Sequence, residues 1–164
     1  MTSPVNGSGF GGSEEVLIPS GLPIAEAAAR VGASCWIELT LHQILTGWLG
    51  DETDPSTSAR LWVVRAHRAE LAEAWHRRLP ELREMPREGF VVPPQMWAER
   101  LAPDSAFANA AGSTERLSAL REVLDEMRRG YLEHQDTAVG PADGPVADTL
   151  RQAVSRTDAD LRCL

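Results

Sequence analysis

PELREMPREGFVVPPQMWAERLAPDSAFANAAG, residues 80–112, decides the topology of the chain. Pro80, Pro86, Pro93, Pro94 and Pro103 fall within it. A proline inside a helix removes a hydrogen bond and clashes with the preceding turn, so no long helix fits there. At most one short turn forms, around Gln95–Leu101, which offers Met96, Trp97 and Leu101 as cover for a core. Val91-Val92 is too short for a strand and meets two prolines. The segment is far longer than a connection between adjacent helices needs, and long enough to travel the length of one.

Helical periodicity flanks it on both sides. Upstream, a first helix starts at Pro23, with Glu26 in its first turn, and runs to about Leu49, where Gly50 ends it. Ser34, Ile37, Leu41, Ile44, Leu45 and Trp48 share one face, with Glu38 at its edge and His42 one turn on. Asp51–Asp54 form a short turn. Asp54 caps a second helix, with Pro55 at its first position, that continues to Leu79. Leu61, Val64, Leu71, Ala74 and Trp75 make its apolar face, with His67 on that face and Glu70 on its flank. Downstream, Ser113 as cap and Glu115 in the first turn open a third helix whose stripe is Leu117, Leu120, Leu124, Met127 and Tyr131 and which fades after His134. Asp143-Gly144-Pro145 opens a fourth, lined by Val146, Leu150, Ala153, Val154, Thr157 and Leu161.

Short connections within each pair make antiparallel neighbours. The fold class expected is therefore all-α, a ferritin-like four-helix bundle with one long crossover, residues 80–112, between helices two and three. Residues 21–164 read as this single domain. Residues 1–20 carry Gly, Ser and Pro without periodicity and read as a flexible tail, with Val16, Leu17 and Ile18 able to pack locally.

Composition narrows the function classes. The chain has 164 residues, 43% hydrophobic and 24% charged, as in one ordinary globular domain. No apolar run reaches membrane-spanning length and no secretory leader pattern is present, so the expectation is a cytoplasmic protein without a membrane partner. A net charge of −8 argues against nucleic acid or an anionic membrane surface. All 16 basic residues are Arg, so no lysine can form a Schiff base. Cys35 and Cys163 match no metal spacing, and Cys35 falls at the apolar edge of the first helix as a small core residue. Phosphate-binding loops, dinucleotide fingerprints, nucleophile elbows and Cys-x-x-Cys are missing.

WIELTLHQILTGW (residues 36–48), RAHRAELAEAWHRRLP (65–80) and DGPVADTLRQAV (143–154) resemble a group of small ferritin-like domain proteins from high-GC bacteria. In that group the second helix similarly ends in Trp followed by Arg-Leu-Pro, and the fourth opens with Asp-Gly-Pro-Val. The resemblance covers roughly residues 22–161. It implies the bundle, a Glu at position 38, a His near 67, and a Tyr near 131 before a His like His134. It also implies an acidic residue near 157, where this chain has Thr157, with Asp158 and Asp160 close by. It implies a role in specialised metabolism and no single activity.

A di-iron bundle needs one Glu from each of two helices and Glu-x-x-His from each of the other two, all pointing inward. Glu73-x-x-His76 has the letters, but Glu73 points about 180° and His76 about 120° from the apolar face. Glu122 and Glu126 also point outward, and the fourth helix has no His. The expectation is a protein without a metal or other cofactor. A mononuclear site from Glu38, His42 and His67 is the metal-bound alternative.

The inward or edge polar residues are Glu38, His67, Glu70, Arg128, Tyr131, His134 and Thr157. Buried polar groups lower stability unless paired, so these form either a register-fixing network or a small pocket. The functional expectation is cofactor-independent acid/base chemistry of isomerase, lyase or cyclase type on a small molecule. Glu38, His67 and Tyr131 are the catalytic candidates: His67 as base, Glu38 as its orienter or an acid, and Tyr131 as donor to a developing oxyanion. His42, Glu70, Arg128 and His134 are the substrate-binding candidates. Trp48 and Trp75 read as core. Trp36 and Trp62 read as outward and as a homodimer surface, Trp97 as cover or lid. The competing expectations are a non-catalytic interaction or ligand-binding module, and a di-metal or mononuclear ferritin-like oxidase or oxygenase.

Overall fold

The computed structural model describes residues 21–83 and 85–164, and among these every regular element is helical. The elements are α1 (Ile24–Asp51), α2 (Pro55–His76), a 3-10 turn (Arg87–Phe90), α3 (Gln95–Arg100), α4 (Ser113–Thr137) and α5 (Gly144–Cys163). The expected tail, with Val16, Leu17 and Ile18, lies outside the described residues. No helix among the described residues is long and apolar enough to cross a membrane.

The helix ends show which local signals act. Asp54 caps α2 as its sequence suggests, accepting a hydrogen bond from the Thr57 N–H at 2.7 Å. Ser113 does not cap α4. Gly112 turns the chain at φ 79°, a conformation that glycine adopts without steric penalty, and Ser113 is the first helical residue. Its hydroxyl donates instead to Glu52 at 2.8 Å, tying the start of α4 to the end of α1. Asp143 does not cap α5 either: its carboxylate accepts the Gly140 N–H at 2.8 Å and closes the preceding turn. Gly50 does not end α1, which runs one residue further, and α2 stops at His76 rather than Leu79.

Four long helices carry the architecture. α1 packs along α2, α4 along α5, and α2 against α5. Side-chain bonds fix their directions. Between α1 and α4, Arg30 reaches Thr137, Glu38 meets Tyr131, and Arg116 reaches the Trp48 carbonyl. Between α2 and α5, Arg60 reaches the Leu164 carbonyl, Arg68 meets Asp160, and Arg78 meets Thr149. Numbers rise on one helix as they fall on its neighbour, so each such pair is antiparallel. α1 and α5 therefore point one way, and α2 and α4 the other. The connection from α2 to α4 must travel the length of the helices.

That connection is pinned along α1. Phe90 crosses α1 at Gly32, where a Cβ would sit 1.8 Å from the Phe90 carbonyl oxygen, so only glycine lets the two backbones approach. Sixteen residues further along α1, Trp48 packs on Phe107 with centroids 5.0 Å apart and donates to the Ala108 carbonyl at 3.2 Å. The strap thus covers about 24 Å of helix. α3 turns Trp97 into the core between these anchors and Leu101 follows it there, while Met96 stays exposed. The core itself is Leu41, Leu45, Leu61, Leu71, Trp75, Leu120, Leu124 and Leu150, all with no exposed surface. Cys35 joins it, and burial, reinforced by the Glu38 charge, pushes its thiol pKa up to about 11, which makes it inert as a nucleophile.

Candidate functional site

Each long helix sends polar side chains to one level of the interior. α1 contributes Glu38, α2 Arg68, α4 Tyr131, and α5 Thr157 and Asp160. Glu38, Arg68, Thr157 and Asp160 have no exposed surface, and Tyr131 is buried. The Arg68 guanidinium lies between two carboxylates. Its Nη1 donates to Glu38 Oε1 at 3.3 Å, and its Nη2 donates to Asp160 Oδ2 at 2.7 Å. Nη1 also reaches Thr157 Oγ1 at 3.5 Å. Tyr131 donates its hydroxyl proton to Glu38 Oε1. His67 closes the far end, its Nδ1 2.6 Å from Asp160 Oδ1.

The electrostatics follow from burial. Loss of water raises the Glu38 pKa, and Arg68 and Tyr131 pull it back only in part. Burial works against the Arg68 charge, but Glu38 and Asp160 outweigh it and hold the guanidinium protonated above its ordinary value. Burial next to the Glu38 charge pushes Tyr131 well above the usual phenol range, so Tyr131 remains a proton donor.

A cavity of about 220 Å3 opens beside this cluster, between α1, α4 and the strap. Ile37, Trp97 and Met127 give it apolar walls, and Arg30, Ser34, Tyr131 and His134 give it polar groups. His134 is buried, its ring stacked nearly parallel to Trp75 at 6.2 Å and 12°. Its ring nitrogens make no hydrogen bond among the described residues. Burial, aided by the Arg30 charge, lowers its pKa below the usual imidazole value, so it is neutral at pH 7.

The sequence candidates divide. Glu38 and Tyr131 meet directly. His67 does not join them: Asp160 and Arg68 stand between, and the imidazole is partly exposed between α2 and α5, away from the cavity lining. His134 lines the cavity. His42 sits on the flank of α1 and bonds through Nδ1 to the Arg65 carbonyl at 3.2 Å, so it does not complete a site with Glu38. Glu70 is on the solvent side, bonded to Gln152 and Arg156. Arg128 pairs with Asp158 on α5 instead of reaching Glu38 or the cavity. Trp36 is half-buried and packs on the core, whereas Trp62 is 57% exposed with the Arg65 guanidinium over its ring.

Arg68 and Asp160 are the interior groups that the sequence reading passes over. Both lie in the apolar rows. Leu61, Val64, Arg68, Leu71 and Trp75 are spaced 3, 4, 3 and 4, and Leu150, Ala153, Thr157 and Asp160 are spaced 3, 4 and 3. The spacing marks these positions as interior whatever residue occupies them.

A di-metal centre does not fit this donor set. Among the described residues no three His, Cys, Asp or Glu side chains converge to hold an ion. Glu73 and His76 face outward and pair with Arg77 and Glu88. The two interior carboxylates already share a guanidinium.

The pKa of His134 sets a testable pH dependence. The unfolded imidazole binds a proton near pH 6.5, and the folded one binds it less readily. Its contribution to stability is therefore complete above pH 6.5 and is lost as the pH falls through that value, with a slope of at most about 1.4 kcal/mol per pH unit. Urea unfolding of the wild type and of His134→Gln between pH 5 and 8 should give curves that converge at the acid end. Parallel curves would show that His134 is not desolvated.

No protein-family model matches the chain, and no curated protein or solved structure matches it either.

Proposed function

We propose that the four long helices form a ferritin-like bundle that works without a metal, binding a small organic molecule in the cavity beside Tyr131 and His134 and acting on it by acid/base chemistry. One observation supports this above the others: a neutral imidazole, His134, lines a cavity next to a buried Tyr–Glu–Arg–Asp network. A neutral imidazole carries one donor and one acceptor nitrogen, so it can exchange hydrogen bonds with a molecule bound in the cavity.

In this reading His134 takes over the base role first given to His67, because His134 lines the cavity and His67 does not. It removes a proton from the bound molecule and returns it at another atom, the balance that an isomerase, lyase or cyclase requires. Glu38 acts through Tyr131 as a positioning residue, holding the phenol by its hydroxyl. The volume lies below the about 300–1,000 Å3 typical of drug-sized ligand sites, which points to a molecule of simple-metabolite size. A place in specialised metabolism rests on the sequence resemblance alone.

The test is occupancy. Native mass spectrometry of the wild type after incubation with a fractionated small-metabolite extract should show a retained species. Ala33→Trp, which fills the cavity from α1, should lose it while keeping the far-ultraviolet dichroism of the wild type. Retention of the same species by the filled variant would remove the cavity from the proposal.

A second reading draws on Trp62. Its exposure on α2, with Val63 and Leu39 also exposed, is unusual for large apolar side chains and suits a homodimer or partner surface. Sedimentation of wild type against Trp62→Ala separates this reading from the first: a shift from dimer to monomer supports it, and two monomers sink it.

A further inference from the structure

The outward side of α2 is bare of charge along its middle. The ionisable residues between Ala59 and Ala69 all turn aside: Arg60 to the Leu164 carbonyl, Arg65 to Thr46, and His67 and Arg68 to Asp160. What remains facing solvent is Ala59, Trp62, Val63, Ala66 and Ala69, an exposed apolar row at helical spacing about 15 Å long. Leu39 on α1, also exposed, borders the row near Ala69, because its neighbour Glu38 meets Arg68. A contiguous apolar face with a tryptophan at its centre is an association surface in need of an occupant.

The two ends of the row carry opposite charge. Asp51 and Asp54 are exposed before it, and Arg77 and Arg78 are exposed after it, with Glu73 the one carboxylate beside them on the helix. A second α2 laid antiparallel sets the acidic end of each helix against the basic end of the other, whereas a parallel one sets like against like. The antiparallel pair closes on itself by a two-fold axis, so one face serves both copies. We propose that a second copy of this chain docks on this face, α2 against α2 and antiparallel, with the two-fold axis at Ala66. In that register Trp62 lies over the other copy's Ala69 and Asp54 is level with the other copy's Arg78. The small side chains at Ala66 and Ala69 leave room for the indole and let the helix axes approach to the near end of about 8–10 Å. This pairing rests on the reading of Trp62 as an association surface, and fixes the occupant, the direction and the register. The cavity beside Tyr131 is lined from α1, α4 and the strap and not from α2, so it stays open in both copies.

The test uses the full chain with Cys163→Ser, since Cys163 is exposed while Cys35 is buried and inert. Sedimentation equilibrium should show a dimer. Trp62→Glu, at an exposed position that leaves the fold intact, should raise its dissociation constant at least about thirtyfold, as for a central aromatic anchor. Cross-linking with a short bis-maleimide reads direction and register. Ala66→Cys should link to itself across the axis. Ala59→Cys should link to Glu73→Cys when the two variants are mixed, and neither should link to itself, because like positions then stand about 21 Å apart. A dimer that Trp62→Glu dissociates, but in which Ala59→Cys links to itself or Ala66→Cys does not, keeps Trp62 as the association surface and overturns the antiparallel pairing. A chain that stays monomeric at its highest soluble concentration overturns the pairing and the homodimer reading of Trp62 together.

Discussion

Arg68→Met should destabilise the protein by about 3–5 kcal/mol, the range for removing one partner from a fully buried ion pair. Little of that loss comes from volume, because Met fills much of the same channel with a flexible apolar chain. It comes from leaving Glu38 and Asp160 with no exposed surface and no cation. Either carboxylate can then only take up a proton or draw in water. The chemistry predicts a specific non-additivity. Adding Glu38→Gln and Asp160→Asn to Arg68→Met should recover a large part of the loss, although each amide change alone in the wild type is destabilising. Urea unfolding of the variants in a double-mutant cycle measures the coupling directly. A loss under about 1 kcal/mol for Arg68→Met would show that water reaches the cluster and that it behaves as a surface pair.

Stability alone does not account for the cluster. Well-packed apolar side chains of similar volume often match or exceed a buried ion pair. A protein that retains Glu38, Arg68, Tyr131 and Asp160 on four different helices gains something else. Register is one gain, since only one axial alignment of the four helices joins all the partners. Support for the neighbouring cavity is the other: Tyr131 is bonded to Glu38 on one side and lines the cavity as well.

Most of the helical layout is legible from punctuation and period. The prolines of residues 80–112 and the apolar rows around them locate the four long helices to within a few residues, because rigid φ and missing N–H groups act locally. The Asp54 cap is legible for the same reason. Ser113 and Asp143 mislead because a side-chain oxygen is free to choose among nearby donors and acceptors, and tertiary partners won: Glu52 for one, the Gly140 N–H for the other. In the site, Glu38 and Tyr131 emerge from their places on the apolar faces. Arg68 does not, because a charged residue ordinarily marks a solvated face, and only its spacing between Val64 and Leu71 places it in the apolar row. Glu70 and Arg128 err the other way. Each lies on a flank, where a long side chain can turn to solvent or to a neighbouring helix, and each found a partner there.

Trp75→Ala should be as damaging as any single change in the apolar core, with an expected loss of about 3–5 kcal/mol. The indole has no exposed surface and is stacked against two rings of the candidate site at once, Tyr131 at 5.8 Å and 27° and His134 at 6.2 Å and 12°. Removing it opens a cavity directly behind both. Trp75→Phe keeps an aromatic face with less volume and should lose considerably less. The pair of variants separates structure from function. Thermal or urea unfolding ranks them by packing alone. Binding of the species retained by the wild type ranks them by how well His134 and Tyr131 are held. If the cavity is the working site, Trp75→Phe should keep near-normal stability yet bind at least about tenfold more weakly, since a buried ring that can tilt no longer presents its nitrogen in one direction. Binding that tracks stability alone, with no added loss in the Phe variant, would mean that the stacked rings are packing and that the ligand is held elsewhere.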